Sequence, residues 1–133
     1  MSIRVLVVDD SGFFRRRVTD IINADGRMEV VGVASNGREA IEMNESLKPD
    51  VITMDYEMPV MDGFTATQRL REHEQEASDY KHIPVVALTA HALPEYKEKA
   101  LNSGFDDFLS KPIRQEQLRQ LCLRWLLPPP DGT

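Results

Sequence analysis

Five short apolar runs recur along the chain, at 3–8, 28–34, 51–54, 83–88 and 105–109, and helical patterns fill the gaps between them. Runs this short, rich in β-branched residues, suit strands buried on both faces. In the first gap Phe14, Val18, Ile21 and Ile22 fall at i, i+4, i+7 and i+8, with Ser11 as cap and Gly26 near the end. The second helix opens at Ser35 or Asn36, carries Ala40, Met43 and Leu47, and stops at Pro49. Ala66 and Leu70 mark a third helix after Gly63, and it runs into a stretch, 71–82, that reads as too hydrophilic to bury a face. A fourth, from Pro94 to Gly104, carries Tyr96, Ala100 and Leu101, and 115–126 is the fifth. Strand and helix alternating five times predict a parallel sheet covered on both sides.

Right-handed crossovers leave few ways to order such a sheet, and the order 2-1-3-4-5 is expected. The fold class is therefore α/β, a flavodoxin-like (βα)5 doubly wound sheet in a single domain. At 133 residues there is room for one such domain and hardly for two. It is expected over 1–127, leaving 128–133, with Pro128, Pro129 and Pro130, as a polar tail. A net charge of −6 argues against a nucleic-acid surface. The basic run Arg15, Arg16, Arg17 reads as a solvated helix face. Cys122 has no disulfide partner and sits at helical spacing with Leu118, Leu121 and Trp125, so it is a core residue with no chemistry assigned. No apolar run nears the roughly 18 residues of a membrane span, and a cytoplasmic protein is expected.

In this topology the ends of strands one and three are neighbours, which brings Asp9, Asp10 and Asp55 together at the carboxyl edge where α/β sheets bind ligands. Like charges a few Å apart repel by roughly 4 kcal/mol per pair at an effective dielectric near 20. A hard divalent cation relieves that repulsion, and an all-oxygen, partly hydrated set suits Mg²⁺. His73, His82 and His91 are too scattered to argue for another metal. Strands four and five end in Thr89 and Lys111, a hydroxyl and an ammonium fit to meet phosphoryl oxygens. Asp55, at the end of the third apolar run, is then a candidate nucleophile for an aspartyl-phosphate. Each residue alone has a duller reading: a cap or turn for the acids, a structural threonine, a surface lysine.

The motifs VLVVDDS at the first strand, MDYEMPVMDG at the third, ALTAHA at the fourth and DDFLSKPI at the fifth resemble those of receiver domains of bacterial two-component response regulators. Up to about Gly63 the wording is closest to chemotaxis methylesterase receivers, and from Thr89 onward it is similar to receivers of hybrid histidine kinases. The resemblance implies Asp55 as phosphoacceptor, Asp9 and Asp10 as Mg²⁺ ligands, and a metal-binding backbone carbonyl at Glu57. It implies phosphoryl contacts from Thr89 and Lys111, an aromatic switch at Phe108 and a cis Lys111–Pro112 bond. Glu57 and His91, each two residues beyond a site residue, are expected to modulate water attack, and Ala90 to keep the entrance small-walled. The implied partner is a histidine kinase or histidine phosphotransfer domain, with no nucleic acid or membrane involved. Such a protein signals through helix four, strand five and helix five, as a monomer or a phosphorylation-dependent dimer, and is no enzyme beyond its own phosphorylation and slow dephosphorylation.

Three other readings stay open on the residues. A phosphohydrolase of the haloacid dehalogenase type also uses a strand-end Asp and Mg²⁺, but its second Asp is replaced here by Glu57 and there is no room for a cap domain. A flavin carrier of flavodoxin type wants a phosphate-cradling first loop, which Asp9-Asp10-Ser11 would repel. A degenerate receiver would lack a site residue, and none is missing.

Overall fold

Val5 and Val7 face one side of the sheet and Leu6 and Val8 the other, all fully buried, as side-chain alternation in a two-sided strand requires. They belong to β1 (Ile3–Val8), the centre of a computed structural model that describes residues 2–56, 58, 61–76, 82–90 and 94–124. There follow α1 (Gly12–Asn23), β2 (Met28–Ala34), α2 (Gly37–Leu47), β3 (Val51–Asp55) and α3 (Gly63–Glu76). Then come β4 (Val85–Thr89), α4 (Pro94–Asn102), β5 (Asp107–Ser110) and α5 (Gln115–Arg124). All neighbouring strands pair in parallel, in the order β2-β1-β3-β4-β5 expected from the sequence.

Two core layers result. Val5, Val7, Val51, Val86 and Leu88 pack against Val18 and Ile22 of α1 and Leu118 and Cys122 of α5. Leu6, Val8, Ile52, Met54, Val85 and Ala87 pack against Ala40, Ala66, Leu70 and Ala100 of the other three helices. Each fully buried Val, Leu or Ile contributes roughly 1.5–3 kcal/mol over an exposed one, so both faces of the sheet are held firmly.

Helix ends follow the sequence closely. Ser11 Oγ accepts from the Phe14 N–H at 3.4 Å. Asn36, not Ser35, caps α2: its Oδ1 accepts from the Glu39 N–H at 2.9 Å, while Glu39 Oε1 accepts from the Ser35 N–H at 2.8 Å. The cap satisfies one orphan donor of α2, and Glu39 reaches back past it to the residue before the cap, a variant of the capping box. Lys48, at φ 48°, closes α2 in the left-handed region just before Pro49.

The polar stretch departs from expectation. Helix α3 continues to Glu76, and Arg71 and Glu74 are largely buried, their side chains 14% and 8% exposed. Burial is tolerated because the charges are paired: Arg71 meets Glu74 at 2.9 Å and Asp106 at 2.7 Å. The same residues shorten two strands. Ile83 gives its N–H to Glu74 and its carbonyl to Arg71, Pro84 has no N–H, and Asp106 Oδ2 takes the Val85 N–H. Ladder pairing therefore starts at Val85 rather than at Ile83, and β5 starts at Asp107, leaving Phe105 buried just ahead of it. On α4 only Ala100 of the expected stripe is buried, and Leu101 is exposed. Trp125, the last residues of the fifth helical pattern and the tail 128–133 lie outside the described residues.

Candidate functional site

The carboxyl edge of the sheet gathers what the strands carry there. Asp9 follows β1 directly, its N–H bonded to the Ala34 carbonyl at 3.0 Å, and its side chain is buried. Asp55 is the last residue of β3 and Thr89 the last of β4, both also buried. Lys111 comes just after β5, its N–H donated to the Thr89 carbonyl at 2.7 Å. Asp10 faces solvent beside them. In-register parallel strands thus carry three carboxylates, a hydroxyl and an ammonium to one rim.

Four of the side chains converge, those of Asp9, Asp10, Asp55 and Lys111. Asp9, Asp10 and Asp55 each offer a carboxylate oxygen, and these oxygens lie within 4.8 Å of one another. At that spacing each pair repels by about 3–4 kcal/mol at an effective dielectric near 20. Lys111 Nζ lies 3.1 Å from Asp9 Oδ2 and 3.6 Å from Asp55 Oδ1, so one ammonium offsets part of three negative charges. A net negative, all-oxygen cluster with two buried members fits a hard divalent cation.

Local structure holds these groups in place. Asp9 Oδ1 accepts from the Ser11 N–H at 2.9 Å, leaving Oδ2 turned toward Lys111. Arg15 Nη1 donates to the Asp9 main-chain carbonyl at 2.9 Å, and Arg17 Nη2 to the Ile113 carbonyl at 3.2 Å. Two members of the basic run therefore tie α1 to neighbouring segments, which a purely solvated face would not do. Gly63 bonds its N–H to the Tyr56 carbonyl, and a Cβ there would come within 2.4 Å of the Asp55 carbonyl oxygen. Only glycine lets the β3–α3 turn return this close to Asp55. The Lys111–Pro112 bond is cis, as the resemblance implies.

Phe108 is half-buried on β5, opposite Ala87 in register and packed against the core layer of α2, α3 and α4. Ala90 is exposed just past Thr89. Glu57 and His91 lie outside the described residues. Reading the sequence missed Phe14, whose ring centroid is 4.1 Å from Lys111 Nζ. Helical spacing marked it as a core residue and carried no sign that its outer edge meets a cation. Cys122 is fully enclosed, and burial pushes its thiol up to about 12, in keeping with a residue given no chemistry.

Comparison with known proteins places these features among relatives. Residues 5–122 match the family described as the response regulator receiver domain. A protein-glutamate methylesterase/protein-glutamine glutaminase of Pseudomonas aeruginosa is 64% identical over 134 residues, covering 96% of this chain and 34% of its own length. The chain thus spans about a third of that relative, and the likeness runs through both halves of the chain. The response regulator domain of Thermotoga maritima CheB superposes with a TM-score of 0.74 at 37% identity, covering 95% of this chain and 92% of its own. The receiver domain of the sensor histidine kinase PA1611 from Pseudomonas aeruginosa, solved with a magnesium ion coordinated in its active-site cleft, gives 0.80 at 29% identity, over 94% and 98% of the two chains.

Proposed function

The chain belongs to the response regulator receiver domain family, and from that premise we propose that Asp55 accepts a phosphoryl group from a phosphohistidine on a histidine kinase or histidine phosphotransfer domain. The observation that carries this reading is the rim itself: a buried strand-end carboxylate grouped with two further acids, with a lysine ammonium 3.6 Å away. In the proposed step an Asp55 oxygen forms a bond to phosphorus as the P–N bond to the donor imidazole breaks. The electron pair stays on the ring nitrogen, and water later attacks phosphorus to return the carboxylate and inorganic phosphate.

Each residue has a part in this. Asp9, Asp10 and Asp55 would hold Mg²⁺, which when bound neutralises acid charge and polarises phosphoryl oxygens. Lys111 offsets negative charge on the transferring group, and the Thr89 hydroxyl donates to one of its oxygens. Asp9, fixed by Ser11, orients Lys111. The protein's contribution is placement and charge, since the transition state is loose.

Incubation with acetyl phosphate and Mg²⁺ tests the nucleophile. The wild type is expected to take up phosphate stoichiometrically in a hydroxylamine-sensitive form, and Asp55→Asn to take up none. Equal labelling of the variant would place the nucleophile elsewhere.

The output reading is that Thr89 moves toward the phosphoryl group and Phe108 turns inward, changing the face formed by α4, β5 and α5. The relatives' printed function makes a methylesterase domain the proposed effector of that face. Fluorine NMR of fluorophenylalanine at Phe108 should show a changed ring environment on adding beryllium fluoride with Mg²⁺. An unchanged resonance would exclude the switch.

A further inference from the structure

We infer that Phe14 is a positioning residue for phosphoryl transfer, its ring face holding the Lys111 ammonium at the rim. The inference rests on the phosphoacceptor reading of Asp55.

Among the described residues Lys111 reaches Asp9 Oδ2 at 3.1 Å, Asp55 Oδ1 at 3.6 Å and the Phe14 ring, 4.1 Å from the nitrogen to the centroid. The two carboxylates are not permanent partners. Both belong to the acid cluster suited to a divalent cation, and Asp55 is also the group that changes on phosphorylation. A cation on Asp9 competes with Lys111 for that carboxylate, whereas the ring supplies no oxygen ligand to Mg²⁺ and offers its electron-rich face to the ammonium. The ring therefore holds the lysine in place through the part of the cycle in which its carboxylate contacts are exchanged. It does so without binding it so tightly that the ammonium cannot reach phosphoryl oxygens.

The ring is itself fixed. Phe14 is half-buried and packs against the core layer of α1 and α5, and the Ser11 cap takes its N–H. Phe13 meets it edge to face, with centroids 5.4 Å apart and planes at 87°. Arg15, the next residue, binds the Asp9 carbonyl, so this turn of α1 touches both Asp9 and its lysine. An aliphatic side chain at position 14 would fill the same space but have no charged-face attraction to offer.

Three variants of the whole chain, Phe14→Leu, Phe14→Met and Phe14→Tyr, separate packing from positioning. The readouts are the rate of phosphorylation by acetyl phosphate with Mg²⁺ and the NMR shift of the Lys111 ε-methylene protons, which a ring face moves upfield. Phe14→Leu and Phe14→Met should slow phosphorylation on the order of fivefold and lose the upfield shift, while Phe14→Tyr keeps both. The Met variant keeps near-native volume if the Leu variant folds poorly. Wild-type rates in Leu and Met, or an unshifted Lys111 signal in the wild type, overturn the inference. Loss of rate in Tyr equal to that in Leu also overturns it, because packing alone would then explain the loss. Asp55→Asn should keep the Lys111 shift while losing phosphorylation, so a wrong nucleophile and a wrong ring contact give different results.

Discussion

Asp25, in the turn after α1, is buried and receives Arg27 through both its side chain and its N–H, at 2.7 to 3.0 Å, with Arg119 of α5 at 3.3 Å. The Arg27 guanidinium foremost, then its N–H, holds the Asp25 carboxyl well below the usual carboxylate range. Glu39 is lowered too, by the Ser35 hydroxyl and N–H. A carboxylate whose pKa is depressed in the fold stabilises it above the unfolded value, near 3.9 for Asp, and that stability is lost as pH falls through the window below. Urea titrations from pH 6 down to pH 3 should therefore show the wild type losing stability more steeply than Asp25→Asn. Parallel curves would show that Asp25 is not a source of the acid sensitivity. At this scale the site was largely legible: Asp9, Asp10, Asp55, Thr89 and Lys111 stand out because each ends a strand or follows one. Phe14 was read only as a core residue because periodicity reports which face a residue lies on, not what its ring touches.

Helix α3 owes its last two turns to partners from other elements. Arg71 joins Glu74 on its own helix, the Ile83 carbonyl ahead of β4, and Asp106 and the Gly104 carbonyl ahead of β5. His82 adds contacts to Asp106 at 2.5 Å and Glu74 at 3.7 Å. Removing one member of a largely buried ion network leaves the others uncompensated, which costs about 3 kcal/mol. Arg71→Met, which keeps the apolar stem, should lower urea stability by about that amount, and Glu74→Gln in the same chain should recover part of it. A change under about 1 kcal/mol would reduce the network to a surface feature. This element was misread because Arg71 and Asp106 are 35 positions apart, and a local pattern shows a polar stretch without its distant counter-charges.

The two core layers share one sheet, so the molecule is expected to unfold as a unit. Cys122 reports on this directly, because it is fully buried on α5 and its thiol is pushed up to about 12. Iodoacetamide at pH 8 should leave it unlabelled in the native protein, and labelling should rise with urea along the same transition as circular dichroism. Rapid labelling without denaturant would mean that α5 opens by itself. Among the described residues no helix is long and apolar enough to cross a membrane.

The order of elements, the order of strands and the meeting of five functional groups at one rim all follow from the sequence. Short buried runs, helical spacing and right-handed crossovers leave almost no other arrangement. Which oxygen faces the ammonium, which ring it rests on and which buried charges hold the far end of α3 were settled only by tertiary packing. Asp9 and Lys111 are 102 positions apart, and contacts at that separation depend on the relative placement of whole elements, which no local pattern encodes.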